Sequence, residues 1–349
     1  MQELVLYGVP KFTSQRRTVD IPTPGPDEVL IKVVAAGLNP KDWKFTKRRG
    51  EDRALNAGDD MSGIVERVGS NVFEYKQGDR VAAFHRMGEP FGTYAEYAIA
   101  PASTTFFLAP GISFEAGAGL PLSSMTAALG LYQGLGLPLP TVAGQKDTPV
   151  LIYGGATAVG AFALQLAKLS KLSPIITVAG SGIEFVESLG AATHIIDYRK
   201  GGVARAILAA LGGKQVHHAL DAVSGKKSYE IVSEVLAASG GGKINMLDPV
   251  EDEGWKFPDN IELSLTFVAS SYSQKHPGIT EEQAEADGEF AYYFYRYISY
   301  LLAHGTFKPH PHEVIPNGLE GITEGVQSLH DGKVSAKKLI ARIADTPGL

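Results

Sequence analysis

The sequence predicts an α/β protein with a β-barrel-like region followed by a doubly wound parallel sheet. Three observations carry that expectation. Residues 4–110 read as short β-prone runs divided by Gly/Pro turns. Beyond residue 150, β-prone and helical segments alternate at the spacing of βαβ units. At the head of that series Val150-Leu151-Ile152-Tyr153 breaks into Gly154-Gly155-Ala156-Thr157-Ala158-Val159-Gly160 and opens a helical pattern over 161–169. A strand, a tight turn and a helix N-terminus in that order make a phosphate cradle, because unpaired backbone N–H groups and the helix dipole both favour an anion.

Strands are expected at 29–37, 61–69, 79–84 and 93–100, punctuated by Pro22, Pro24, Gly25, Pro26 and the Gln77-Gly78-Asp79 corner, with no helix before Ser113. From 113 to 136 Ala, Leu and Met recur at three- and four-residue intervals, Pro121 marks a break, and the domain boundary falls here. The alternating series then reads as strands 150–153, 175–178, 194–196, 216–222 and 243–246, with helices 158–169, 183–189, 203–211 and 228–236 between them. A further strand is expected at 264–269, then a polar surface loop over 270–288. An aromatic helix over 290–302 follows, containing Tyr292, Tyr293, Phe294, Tyr295, Tyr297 and Tyr300. That helix packs its stripe on the core or on a partner subunit, or serves as a pocket lid. The chain closes with helix 319–329 and strand 338–343.

Composition narrows the function. At 349 residues the chain is long enough for two domains of the usual roughly 100–200 residues. Lys+Arg 32 against Asp+Glu 38, a net charge of −6, lacks the basic excess that nucleic acid or anionic lipid requires, so neither is an expected partner. The absence of cysteine excludes disulfides, thiolate nucleophiles and cysteine-ligated zinc. With no basic leader and no apolar run of about 18 residues, a cytoplasmic protein is expected.

The strand after the first helix normally ends in Asp or Glu when the cofactor is NAD, because that carboxylate binds the ribose 2′-OH. Here Ile175-Ile176-Thr177-Val178 runs into Ala179-Gly180-Ser181-Gly182, with no acid before Glu184. A small uncharged loop leaves room for a 2′-phosphate and favours NADPH, with Ser181 as a donor. Tyr198 and Arg199 either close that pocket from the side or are simply exposed. Proline inside His310-Pro311-His312 and strand alternation across His217-His218 argue against convergent ligation, so no metal is expected. There is no G-x-S-x-G elbow, and the one Tyr-x-x-x-Lys pair, Tyr7 and Lys11, lies ahead of the glycine loop.

Several stretches together resemble one family. They are Gly37-Leu38-Asn39-Pro40-Lys41-Asp42-Trp43-Lys44, Gly58-Asp59-Asp60-Met61-Ser62-Gly63-Ile64-Val65, Gly92-Thr93-Tyr94-Ala95-Glu96-Tyr97 and the run from Leu120 to Tyr132. The glycine loop, Ser188-Leu189-Gly190-Ala191, Ile196-Asp197-Tyr198 and Ala219-Leu220-Asp221-Ala222-Val223 follow in order. The chain resembles the medium-chain dehydrogenase/reductase superfamily, in its zinc-independent quinone reductase and enoyl reductase branch. It looks most like the fungal-type members, which include stand-alone trans-acting enoyl reductases serving polyketide synthases.

The resemblance implies a GroES-like barrel made by 1–124 and 272–349, with a Rossmann domain at 125–271 inserted, and an active site in the cleft between them. Where zinc alcohol dehydrogenases carry a catalytic Cys and His, this chain has Asn39 and Asp59, and Leu122 stands at the third ligand position. Without a Lewis acid, alcohol oxidation loses its main electrostatic support, whereas reducing a conjugated C=C asks only for donors to the enolate oxygen. The resemblance places Asn39, Lys44 and Thr126 near nicotinamide and substrate. The candidate cofactor residues are Gly154, Gly155, Thr157, Ala158, Val159, Gly160, Ser181, Tyr198 and Val223, with Ser181 near the place where the family usually has a lysine. Many relatives read Ala-x-Gly-Gly-Val-Gly at the loop; here Thr157 replaces a glycine, offering a hydroxyl donor at some loss of close approach.

The expected activity is therefore an NADPH-dependent, zinc-independent reduction of an enone, an enoyl thioester or a quinone, the substrate being a small molecule or a carrier-bound acyl chain. A non-catalytic NADPH-binding sensor or interaction subunit is the alternative. Both a monomer and a homodimer paired through the edge strand at 264–269 stay open.

Overall fold

The computed structural model describes residues 1–8, 11–49, 54–142, 147–249, 255–276 and 278–349. They form two compact units. The first contains Met1–Leu122, Ala269–Lys275 and Ile279–Leu349, the second Ser123–Val268 and His276–Gly278.

The first unit opens with β1 (Gln2–Tyr7) and β2 (Thr13–Thr18), paired antiparallel, followed by β3 (Glu28–Gly37). Next comes α1 (Pro40–Arg49), a helix where only strands were expected. Its start signals are plain, with proline in the first position and Asp42 in the first turn. Its body is too rich in Lys and Arg to show an apolar 3.6-residue period, which is why periodicity misses it. Strands β4 (Asp60–Val68), β5 (Arg80–Phe84), β6 (Tyr97–Pro101) and β7 (Thr105–Phe107) complete the N-terminal β region.

The helical stretch expected over 113–136 is three pieces. In α2 (Phe114–Ala118) the Ser113 hydroxyl accepts the Ala116 N–H at 3.2 Å as an N-cap. Helix α3 (Pro121–Ala128) starts on its proline, and a π-helical turn, Leu129–Gly134, continues it.

The second unit then alternates β8 (Val150–Tyr153), α4 (Ala158–Leu169), β9 (Ile175–Ala179), α5 (Ile183–Ser188), β10 (His194–Asp197), α6 (Val203–Ala210), β11 (His218–Asp221), α7 (Lys226–Ala238), β12 (Gly242–Met246) and β13 (Ile261–Leu265). All six strands are parallel, in the order β10-β9-β8-β11-β12-β13, which is the doubly wound order with its switch between β8 and β11. Their apolar residues, among them Leu151, Ile176, Val178, Ala219 and Ile244, pack with Ile207 and Leu236 into one core. The last strand lies earlier than the expected 264–269, because Val268–Tyr272 turns instead as a 3₁₀ helix.

Back in the first unit, α8 (Glu281–Ala303) begins well before the expected residue 290, so much of the expected 270–288 loop is helix; Pro277 in that stretch lies outside the described residues. The Thr280 hydroxyl accepts the Gln283 N–H at 3.1 Å, and Glu281 and Glu282 suit the positive end of the helix dipole. One aromatic face of α8 packs inward, with Tyr295 fully buried and stacked on Phe106 at 5.3 Å, while Tyr293 and Tyr300 are exposed. The chain ends with β14 (His312–Ile315), α9 (Ile322–His330) and β15 (Lys338–Arg342). Expected helix 319–329 starts as a 3₁₀ turn, Gly318–Gly321. The main sheet of this unit runs β14-β15-β3-β4-β5-β7, with β6 also paired to β3. No helix among the described residues is long and apolar enough to cross a membrane.

Candidate functional site

In the second unit the glycine loop joins β8 to α4 at the carboxyl edge of the sheet, beside the switch point. The turn is tight enough to exclude side chains. Gly154 has φ +89°; a Cβ on Gly155 would lie 2.2 Å from Thr177 Oγ1, and one on Gly160 would lie 2.2 Å from Gly154 O. Thr157 is the N-cap of α4: its hydroxyl accepts the Gly160 N–H at 3.0 Å and donates to Gly154 O at 2.9 Å. The donor expected of Thr157 is therefore turned back into the loop. The Ala158 and Val159 amides, which have no acceptor within the helix, point out of its N-terminus. A backbone cradle at the start of a twelve-residue helix fits a dinucleotide pyrophosphate.

Other residues assigned to the cofactor gather on the same edge. Val223 leans over the turn, its Cγ2 standing 2.7 Å from where a Gly154 Cβ would be. The loop carrying it is held by buried Asp221, whose carboxylate accepts the Val223 and Ser224 amides at 3.0 and 2.9 Å and the Ser228 hydroxyl at 2.6 Å. Tyr198 lies against the turn after β9, its ring 2.4 Å from where a Cβ on Gly180 would be, next to exposed Ser181. Arg199, like Tyr198, is exposed, the second of the two expectations. Its guanidinium grips Asp197 through two bonds of 2.8 and 2.7 Å, and the pair holds the Asp197 carboxyl down at about 2. Thr126, on α3 in this unit, is buried.

In the first unit Asn39 precedes α1 and Lys44 sits half-buried on it, with the ammonium 5.6 Å from the Trp43 ring centroid. Asn39 is 2% exposed and belongs to a buried polar network. Its Nδ2 donates to Asp60 Oδ2 at 2.9 Å, and its Oδ1 accepts from Lys338 Nζ at 2.6 Å. Lys338 also reaches Asp60 Oδ2 at 3.3 Å, and Asp60 Oδ1 accepts the Leu122 N–H at 2.7 Å. A second group adjoins it. Asp42 Oδ2 accepts the Asn39 N–H at 2.7 Å and the Tyr94 hydroxyl at 2.6 Å, while Lys41 pairs with Asp42 Oδ1 at 3.0 Å and with Asp59, and donates to Ala57 O at 2.7 Å. Burial dominates the titrations here: it lowers the Lys41 ammonium against the pull of Asp42, and raises the Asp60 carboxyl against the pull of Lys338. Burial, reinforced by Asp42, also pushes the Tyr94 hydroxyl well above its usual range.

Asn39, Asp59 and Leu122, which the resemblance sets at the ligand positions of zinc alcohol dehydrogenases, join ion pairs and hydrogen bonds. Among the described residues, no three His, Cys, Asp or Glu side chains are grouped to hold a metal ion. Sequence reasoning missed Lys338, Asp60 and Tyr94. The available signal is an acid and a lysine each directly followed by an apolar residue at the start of a β-prone run, since an ionised group at the mouth of a buried strand needs a partner.

Comparison with known proteins is consistent with both units. Residues 25–110 match the alcohol dehydrogenase GroES-like domain, and residues 158–246 match the family described as zinc-binding dehydrogenase. A trans-enoyl reductase of Gibberella fujikuroi is 40% identical over 308 residues, covering 86% of this chain and 87% of the relative. One from Alternaria alternata is 32% identical over 336 residues, covering 94% and 95%. Among solved structures, CurK enoyl reductase superposes with a TM-score of 0.73 at 22% identity, covering 97% of this chain and 98% of the other. A quinone oxidoreductase of Pseudomonas syringae gives 0.72 at 22%, covering 97% and 100%. At that identity the structures speak to the fold alone.

Proposed function

Because the chain belongs to the medium-chain dehydrogenase/reductase family, in its enoyl reductase branch, we propose that it is an NADPH-dependent, zinc-independent reductase of an activated C=C in an enone or enoyl thioester, or of a quinone. The observation that carries this reading is the 40% identity to a trans-enoyl reductase across 86% of the chain. The substrate is a small molecule or a carrier-bound acyl chain.

The cofactor is held at the turn formed by Gly154, Gly155, Ala158, Val159, Gly160 and Val223, which Thr157 shapes by capping α4, with Ser181 and Tyr198 toward the 2′-phosphate. Support for NADPH is chemical: no carboxylate follows β9 before Glu184, and Tyr198 walls the small turn at Gly180. When bound, the nicotinamide supplies hydride to the β-carbon of the substrate. Negative charge then spreads to the carbonyl oxygen as an enolate, which one or two donors stabilise. Lys44 steadies that charge or a cofactor phosphate, and Thr126 positions the nicotinamide ribose or the substrate carbonyl. Asn39 acts through its bonds to Asp60 and Lys338. The α-carbon takes its proton from water.

Stopped-flow oxidation of bound NADPH, with a panel of enones, α,β-unsaturated acyl thioesters and quinones, tests the reading. Decay of nicotinamide absorbance with one class identifies the substrate. No decay with any of them leaves a cofactor-binding sensor and overturns the enzyme reading.

A further inference from the structure

The buried network around Asn39 joins three separate parts of the first unit onto the first turn of α1. Asn39 is the residue before the helix, and its side chain is held by Asp60 at the head of β4 and by Lys338 at the head of β15. Its backbone N–H is taken by Asp42, the reciprocal half of a helix N-terminal cap. Asp42 is itself fixed by the Tyr94 hydroxyl, and Lys41 ties the same turn to Asp59 and Ala57. The neighbouring backbone is fastened too, the Leu38 N–H donating to Leu339 O at 2.9 Å.

Such an arrangement is poor at adding stability. Removing charges from water costs as much as their attraction returns, and a well-packed apolar set does as well or better. What it does supply is geometry: short bonds from fixed strands leave the first turn of α1 one position. Lys44 stands on that helix three residues beyond Lys41. We propose that Lys338 and Asp60 are positioning residues, which through Asn39 and Asp42 fix the start of α1 and thereby the placement of Lys44. The inference rests on the role of Lys44 given under the proposed function.

The test is a double-mutant cycle. In Lys338→Met, kcat should fall roughly tenfold, in line with the sensitivity of rate to small displacements, while KM for NADPH holds. In a Lys44→Ala background the same change should cost little further, because both act through one group. Amide hydrogen exchange on the wild-type and Lys338→Met chains should show faster exchange in the first turn of α1, with α4 and the β8–β13 sheet unchanged. Equal kcat in a folded Lys338→Met variant, additive losses in the cycle, or unchanged exchange at α1 would overturn the proposal. Should Lys338→Met not fold, Tyr94→Phe removes one hydroxyl without unpairing a buried charge and should give a smaller loss of the same kind. The exchange measurement needs no substrate, so it decides the positioning claim even where the wild type reduces nothing, a result that would instead sink the proposed function.

Discussion

Lys44 and Thr126 are the side chains on which the proposed chemistry turns, and they differ in what their replacement should do. Lys44 is half-buried on α1, so Lys44→Ala should lower kcat by about 100-fold, the usual size for losing one group that stabilises developing charge, with Tm little changed. A large loss of stability at unchanged turnover would give Lys44 a structural role. Asp197 tests a different side chain. Its carboxyl is held at about 2, first by the hydrogen bonds from Arg199, below the ordinary 3.8. Because the folded value is the lower one, the pair stabilises the fold above pH 3.8 and that contribution is lost as pH falls through about 2. NMR titration should return the Asp197 carboxyl to its ordinary range in Arg199→Ala; an unmoved titration would show that the pair does not form in solution.

Among the elements, the β8–α4 turn is tightly constrained. Replacing Thr157 by alanine removes the cap on the Gly160 N–H and should cost about 1 kcal/mol in urea unfolding. Replacing it by glycine should cost only a few tenths and tighten NADPH, since the backbone approaches the pyrophosphate more closely. Gly155→Val should abolish NADPH binding in equilibrium dialysis, because a Cβ there meets Thr177 Oγ1 at 2.2 Å, within a buried strand that cannot retreat. Retained affinity in that variant would move the cofactor site elsewhere. Helix α1 teaches a separate lesson. Its caps are written in Asn39, Pro40 and Asp42, yet its start is fixed by hydrogen bonds from residues as distant in sequence as Lys338, so a local apolar period never signals it.

At the scale of the whole molecule, cofactor choice is the observable that links the second unit to function. NADPH at about a hundred times its Kd should stabilise by about 2.7 kcal/mol, seen as a raised Tm, and NADH at the same concentration should give a smaller rise. Equal shifts for the two cofactors would remove the 2′-phosphate site from Ser181 and Tyr198. The parallel sheet and the glycine loop at its head were legible because strands buried on both faces must be apolar and βαβ spacing admits few topologies. Helix α8 was legible only in its aromatic half, since the polar turn from Glu281 is stabilised by its cap and the helix dipole rather than by an apolar face.

The sequence by itself determined the α/β class, the glycine cradle and its place at the head of the sheet, and the family, because each depends on local pattern: period, turn chemistry and motif order. Only the tertiary structure decided that the Thr157 hydroxyl faces its own loop, that Arg199 is paired to Asp197, and that Asn39, Asp60 and Lys338 meet. Those outcomes depend on which polar groups share a buried volume. Residues 39 and 338 are brought together by strand pairing in the first unit, and a charge kept from water must take whatever partner the fold places beside it.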